Sequence, residues 1–394
     1  MSESKEIQAR FELEVYPKRD ITLVRGRNAR VWDSDGREYI DCAGGHGTIS
    51  VGYCNEAVTA AVHAQMQTLT GCSGTFYNDR KAELLELLLS IAPANLTRAF
   101  LCNSGAESIE AALKFARLTA GKTDFVCAVR GFHGRTFGAL SATFEPKYRE
   151  GLSPLVPGFS HVPFNNAAKL ASAITDQTAA VLLEVVQGEG GVNIGSREYF
   201  ETVSQLCRER GVLLIIDEVQ TGFGRTGKMF ACEHFGIEPD ILCVAKGIAA
   251  GLPMGATLCS DKITVAVGKH GSTFGGNPVM CAAAIATIQH LVSHNLALSA
   301  REKGAAIVAR LRAAELEVVR EVRQLGLMIG IELKTKAQPF LIELMSRGIL
   351  ALPAGPNVIR LLPPLTIPDK DLEAAADALV FTLGRPQPQR PSAD

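Results

Sequence analysis

From about residue 80 the chain alternates short apolar runs with stretches of helical period. The clearest runs are RAFLCN (98–103), DFVCAV (124–129), AAVLLEVV (179–186), VLLIID (212–217) and DILCVAK (240–246). Between them lie ESIEAALKFARL (107–118) and REYFETVSQLCRERG (197–211), whose apolar positions recur on one helical face. Near-continuous apolar strands separated by helices predict a mostly parallel sheet covered on both faces. Upstream, RVWDSDGREYID places two alternating arms around Asp35-Gly36, a hairpin signal. Beyond about residue 285, helices and two further runs, GLMIGIEL (326–333) and NVIRLL (357–362), predict a smaller α/β domain. The expected division is an N-terminal segment with the hairpin (1–45) packing with that small domain, a large domain (46–285), the small domain itself (286–384) and a disordered Pro-rich tail (385–394).

Composition narrows the function classes. The 394 residues carry a formal net charge of −1, which gives no electrostatic case for nucleic acid or for an anionic membrane. The apolar runs are strand-sized, so none reads as a membrane span. The start, MSESKEIQAR, lacks the apolar core of a signal peptide. Ten cysteines are scattered from Cys42 to Cys281 without a CxxC pair or a Cys/His cluster. The expectation is a reduced, cytoplasmic protein without a metal site.

Chemistry concentrates where runs end. In NSGAESIEAALKFAR, Ser104 and Glu107 have capping-box spacing, and Gly105 and Ala106 fall in the first turn, where unpaired N–H groups and the helix dipole favour an anion. An ordinary capped helix has the same signature. Asp217 and Lys246 close two apolar runs, and open α/β sheets bind ligands outside the carboxyl ends of their strands. A nucleophilic lysine needs a desolvated site, and a buried carboxylate needs a cation. Pyridoxal phosphate meets all three demands: its aldehyde takes the lysine, its ring nitrogen the carboxylate, its phosphate the helix N-terminus. The competing signal is GFGRTG (222–227), which matches the dinucleotide pattern GxGxxG. Its context is wrong, because DEVQT separates it from the strand and KMFACEHFG continues poorly as a phosphate-binding helix.

The ordered motifs NSGAE, FHGRT, QGEGG, DEVQTGFGRTG, AKG and HGSTFGGNP resemble those of class III aminotransferases, over about residues 20 to 380. Within the class, WDSDGREYIDC, EPKYRE and ILALPAGPNVIR are most similar to the acetylornithine branch and to the branch acting on lysine or ornithine held by an amino-group carrier protein. The resemblance implies a fold-type I transferase with a mostly parallel seven-stranded sheet and a smaller C-terminal domain. It implies that Lys246 bonds the cofactor and then shuttles a proton, with Asp217 holding the ring nitrogen protonated. Gln220 would hydrogen-bond the phenolic oxygen, Val219 and Phe132 would cover the two ring faces, and Glu218 would belong to the cofactor set. Gly105 and Ala106 would bind the phosphate, with Thr273 reaching the neighbouring subunit's phosphate in a homodimer with shared active sites. Arg135, assisted by Ser272, would clamp a substrate carboxylate, and Glu189 with Arg360 would form a switch supported by Glu184.

The implied reaction moves the terminal amino group between an Nα-blocked ornithine or lysine and 2-oxoglutarate. Whether the block is acetyl or an acidic carrier protein stays open, as does another class III activity, such as ornithine or 4-aminobutyrate transamination. An aminomutase or racemase on the same fold would need no 2-oxoglutarate. A non-catalytic binding module would tolerate loss of Lys246. One stretch departs from the family: GYCNEAV, with Tyr53, Cys54, Asn55 and Glu56, lacks the usual proline before the first long helix, so an altered helix start is expected.

Overall fold

The computed structural model describes residues 3–385; of the expected tail, all but Arg385 lies outside them. At its centre is a seven-stranded sheet of β1 (Leu96–Cys102), β2 (Asp124–Ala128), β3 (Phe159–Val162), β4 (Thr178–Glu184), β5 (Leu213–Asp217), β6 (Ile241–Val244) and β7 (Gly255–Ser260). Their spatial order is β1-β7-β6-β5-β4-β2-β3. Only β7 is reversed, pairing antiparallel with both β6 and β1. Every residue of β4, β5, β6 and β7 is buried, which accounts for the near-continuous apolar runs of the central strands. Two strands were not anticipated from the sequence. FSHV and GATLCS are interrupted by Ser, His, Gly or Thr, so neither forms an apolar run.

The run AAVLLEVV does not continue as one strand. β4 stops at Glu184, and Val186–Gln187 starts a two-stranded ribbon with Asn193–Ile194. That turn carries Glu189 away from the sheet and over the strand ends.

Helix α1 (Gly105–Ala120) packs on β7, β6 and β5, and α2 (Arg197–Arg210) lies against β5. Helix α3 (Pro278–Ser293) is buried along most of its length between the helices Glu56–Met66 and Asp79–Ser90. The first of those two starts without a proline. Asn55 caps it instead, accepting from the N–H groups of Ala57 and Val58. No single helix among the described residues is long and apolar enough to cross a membrane.

The N-terminal hairpin forms as read, Arg30–Asp33 against Glu38–Asp41, with Gly36 at φ 82° in its turn. Its second arm pairs in parallel with Ile349–Leu350, so the two ends of the chain share one sheet. A separate antiparallel sheet joins Val319–Leu325, Met328–Leu333, Val358–Leu361 and Leu352–Pro353. Helix α4 (Leu296–Ala313) crosses the first hairpin of that sheet at Gly304. A Cβ there would stand 1.8 Å from the carbonyl oxygen of Gly326, itself held at φ 58° in the hairpin turn. Gly304→Ala is therefore expected to destabilise the fold by about 1–3 kcal/mol through overpacking. Thermal unfolding measures this, and an unchanged midpoint would mean that the turn yields at no cost.

Candidate active site

The carboxyl ends of β1, β2, β4, β5 and β6 open onto a cavity of about 560 Å³. Asn103, Ser104, Gly105, Ala106, Phe132, His133, Arg135, Glu184, Glu189, Asp217, Val219, Gln220 and Lys246 line it. Most of the residues singled out by sequence thus meet in one place. A larger cavity of about 660 Å³ lies at the opposite ends of β5 and β6, beside Leu213 and Asp240, and contains none of them.

The helix end behaves as its sequence predicts. Ser104 accepts from the Glu107 N–H at 3.1 Å, and the Glu107 carboxylate accepts from the Asn103 N–H at 3.0 Å. The box leaves Gly105 and Ala106 facing the cavity with first-turn N–H groups that have no intrahelical acceptor. Glycine is needed here, because a Cβ at Gly105 would stand 2.6 Å from Val219 Cγ1.

Asp217 ends β5 and is 5% exposed. One carboxylate oxygen accepts from the Val219 N–H at 3.0 Å, and the other lies 2.8 Å from His133 Nδ1. Burial alone would push the His133 pKa down. The hydrogen bond to Asp217, with the charges of Asp217 and Glu184, outweighs it and holds the imidazole above its ordinary value. His133 was not singled out from the sequence, although it stands in FHGRT between two residues that were. A single histidine in an apolar context carries no signal of its own. Only the fold brings it to Asp217, 84 positions away.

Lys246 follows β6 in a short 3-10 turn at φ 38°, a backbone conformation unusual for a non-glycine residue. Enclosure pushes its amine pKa down, against the opposing pull of Glu189, and nearby Arg360 lowers it further. That is the direction a nucleophilic amine requires. Glu189 and Arg360 are joined at 2.7 Å, with Arg360 completely buried. Burial raises the Glu189 pKa, but the charges of Arg360 and Lys246 prevail and hold it below the ordinary carboxylate range.

Several expected site residues sit differently. Gln220 Oε1 accepts from Arg360 Nη1 at 3.0 Å, so it also belongs to the Glu189–Arg360 group. The Glu218 side chain is turned away from the cavity. It accepts from Thr221 and from the N–H groups of Ala231 and Cys232, the latter two at 2.6 and 2.7 Å, on the side away from the cofactor site. Ser272 accepts from Asn103 Nδ2 and Gly275 N rather than contacting Arg135, and Thr273 is exposed outside its own chain's cavity. GFGRTG is buried along nearly its whole length. Its Arg225 is buried and donates to the carbonyls of Leu327 and Pro363 at 3.1 and 2.6 Å, and burial pushes its pKa down to about 9. Among the described residues no group of three or more His, Cys, Asp or Glu side chains is placed to hold a metal ion.

The donor set fits pyridoxal phosphate: a helix N-terminus for the phosphate, a buried carboxylate for the ring nitrogen, an amine of lowered pKa for the aldehyde and an aromatic wall at Phe132.

Glu184 ends β4 beside Asp217 and accepts from Phe132 N at 3.1 Å and Gly188 N at 3.3 Å. Burial is the largest influence on it and pushes its pKa from the ordinary 4.5 up to about 7. Between those values the folded chain keeps a proton that the unfolded chain releases, so stability falls as pH rises through this window. Glu184→Gln removes that titration. Melting curves should show the variant gaining on the wild type by roughly a few degrees between pH 5 and pH 8. A difference independent of pH would mean that Glu184 is ionised throughout.

The family model for class III aminotransferases matches residues 14–383. A LysW-aminoadipate semialdehyde transaminase of Deinococcus radiodurans is 45% identical over 97% of this chain and 90% of its own. An acetylornithine aminotransferase of Methanopyrus kandleri is likewise 45% identical, over 96% of this chain and 99% of its own. Among solved structures, the ornithine aminotransferase of Toxoplasma gondii superposes with a TM-score of 0.93 at 31% identity, covering 96% of this chain and 94% of that one. The chain belongs to the class III aminotransferases, pyridoxal-phosphate enzymes of fold type I.

Proposed function

We propose that this aminotransferase moves the terminal amino group between an Nα-blocked ornithine or lysine and 2-oxoglutarate, giving a semialdehyde and glutamate. The closed Glu189–Arg360 pair carries the reading. While paired, the two charges neutralise each other, and a long substrate can present an amine at its far end. When glutamate binds, its α-carboxylate replaces Glu189 on Arg360. The relatives named for acetylornithine and for LysW-aminoadipate semialdehyde support the same class.

The bound cofactor supplies an electron sink for the charge left when a proton departs from the carbon bearing the amine. The remaining work falls to the chain. Gly105 and Ala106 would hold the phosphate at the helix N-terminus, and Asp217, which accepts from the Val219 N–H and faces His133 Nδ1, would pair with the ring nitrogen. Phe132 and Val219 confine the ring. Lys246 Nζ, with its lowered pKa, would take the proton from the substrate carbon that bears the amine and shuttle it to the cofactor. Arg135 binds a substrate carboxylate. The α-amine block keeps the semialdehyde from cyclising and leaves a single amine to react.

The assembly we propose is a homodimer in which Thr273 completes the partner's phosphate site. The exposure of Thr273 outside its own cavity supports this, as do the exposed apolar side chains of Phe11, Leu13, Phe76, Tyr77 and Phe274. The ten free thiols support a reducing, cytoplasmic setting. The block on the α-amine is acetyl or an acidic carrier protein.

The deciding measurement is the visible spectrum of the holoenzyme, before and after adding N-acetylornithine without a keto acid. Bleaching of the cofactor band, lost in Lys246→Ala, is expected for the acetyl-blocked substrate. A band that stays unchanged would assign the block to a carrier, and no band after loading with cofactor would refute the proposal. The switch has its own test. Glu189→Ala should raise reaction at the α-amine of glutamate relative to the terminal amine, and a constant ratio would eliminate the switch.

A further inference from the structure

Arg135 is exposed, and no carboxylate or carbonyl accepts from it among the described residues. A long side chain in that position would ordinarily sample many rotamers, and ordering it on substrate binding would cost affinity. Its guanidinium carbon instead lies 3.9 Å from the centre of the Tyr148 ring. Tyr148 stands in the short helix Pro146–Arg149 and is half-buried. Its ring meets Phe132 edge-on, with centroids 5.7 Å apart and planes at 78°. Tyr148 lines not the main cavity but an annex of about 140 Å³, which it shares with Phe132, Glu189 and Gly190. One ring therefore touches both the aromatic wall of the cofactor site and the arginine at its mouth.

We propose that Tyr148 is a positioning residue for substrate recognition: its ring is the platform that holds the Arg135 guanidinium ready for a carboxylate. The inference rests on the proposed clamp role of Arg135. An arginine stacked on an aromatic face keeps its N–H edges free for bidentate bonding, because the ring occupies only the face of the guanidinium. The tyrosine hydroxyl has no part in this, so phenylalanine should serve equally well. The neighbouring Lys147 amine, 4.8 Å from the same ring centre, adds a second positive charge at the mouth.

The test uses the holoenzyme, N-acetylornithine and 2-oxoglutarate, with KM and kcat measured for Tyr148→Leu, Tyr148→Phe and Arg135→Ala. Tyr148→Leu should raise both KM values about three- to five-fold with kcat held, and Tyr148→Phe should match the wild type. Tyr148→Met repeats the comparison if the leucine variant does not fold. If Arg135→Ala raises both KM values and Tyr148→Leu leaves them unchanged, the platform is overturned and the clamp stands. If Arg135→Ala leaves both unchanged, the clamp falls and the platform with it. A loss confined to kcat, or shared by Tyr148→Phe, would assign the ring to packing beneath Phe132 and overturn the inference.

Discussion

An ionisable group taken from water must find an opposite charge or hydrogen bonds inside the protein, and the strand ends of this molecule are organised by that demand. Three acids, Glu184, Asp217 and Glu189, converge there with three bases, His133, Lys246 and Arg360. Their partners are unequal. Asp217 has His133 and a backbone N–H as partners, and Glu189 has Arg360, whose charge holds its pKa below the ordinary carboxylate range. Glu184 has only two backbone donors and is buried beside another acid, so it takes up a proton near neutral pH. The amine of Lys246 has no hydrogen-bonded carboxylate among the described residues and gives up its proton readily. Fixed charges and mobile protons arise from one cluster because the pairing is incomplete.

A second buried cation explains how the cluster is held in register. Arg225 projects from the turn after Asp217–Gln220 and bonds the carbonyl of Pro363, three residues beyond Arg360, as well as that of Leu327. Gly326 fits against the same turn so closely that a Cβ would stand 2.4 Å from the Arg225 carbonyl oxygen. The segment carrying the cofactor carboxylate and the strand carrying the switch arginine are thereby fixed to each other. GFGRTG sits at a junction between chain segments, where a Cβ at Gly227 would stand 3.0 Å from Arg301 Cβ.

These two features mark the limit of what the sequence conveys. Strand-length apolar runs located five of the seven central strands, most plainly β4, β5 and β6, whose every residue is buried. β3 and β7 form no such run. Asp217, Lys246 and the capping box at Ser104 were legible as strand ends and a helix start, which local spacing records. His133 was not, because its partner Asp217 stands 84 positions along the chain, nor was Tyr148, because spacing does not record its ring contacts with Phe132 and Arg135. Glu218 misled in the opposite sense, since its place beside Asp217 in sequence says nothing about the turn that points its carboxylate at Ala231 and Cys232.

The two arginines of the proposed substrate site differ in the one property that a dual-substrate enzyme has to vary. Arg135 is exposed, rests on an aromatic ring and has no acid to leave among the described residues, so it can bind a carboxylate at little electrostatic cost. Arg360 is wholly buried and paired, and opening such a pair without replacement costs about 3–5 kcal/mol. Only a ligand that brings its own carboxylate to that depth can offset the cost. In the proposed reaction glutamate does so and a terminal amine does not. The same pocket can then accept both substrates in turn, because one contact is unconditional and the other depends on what the ligand carries.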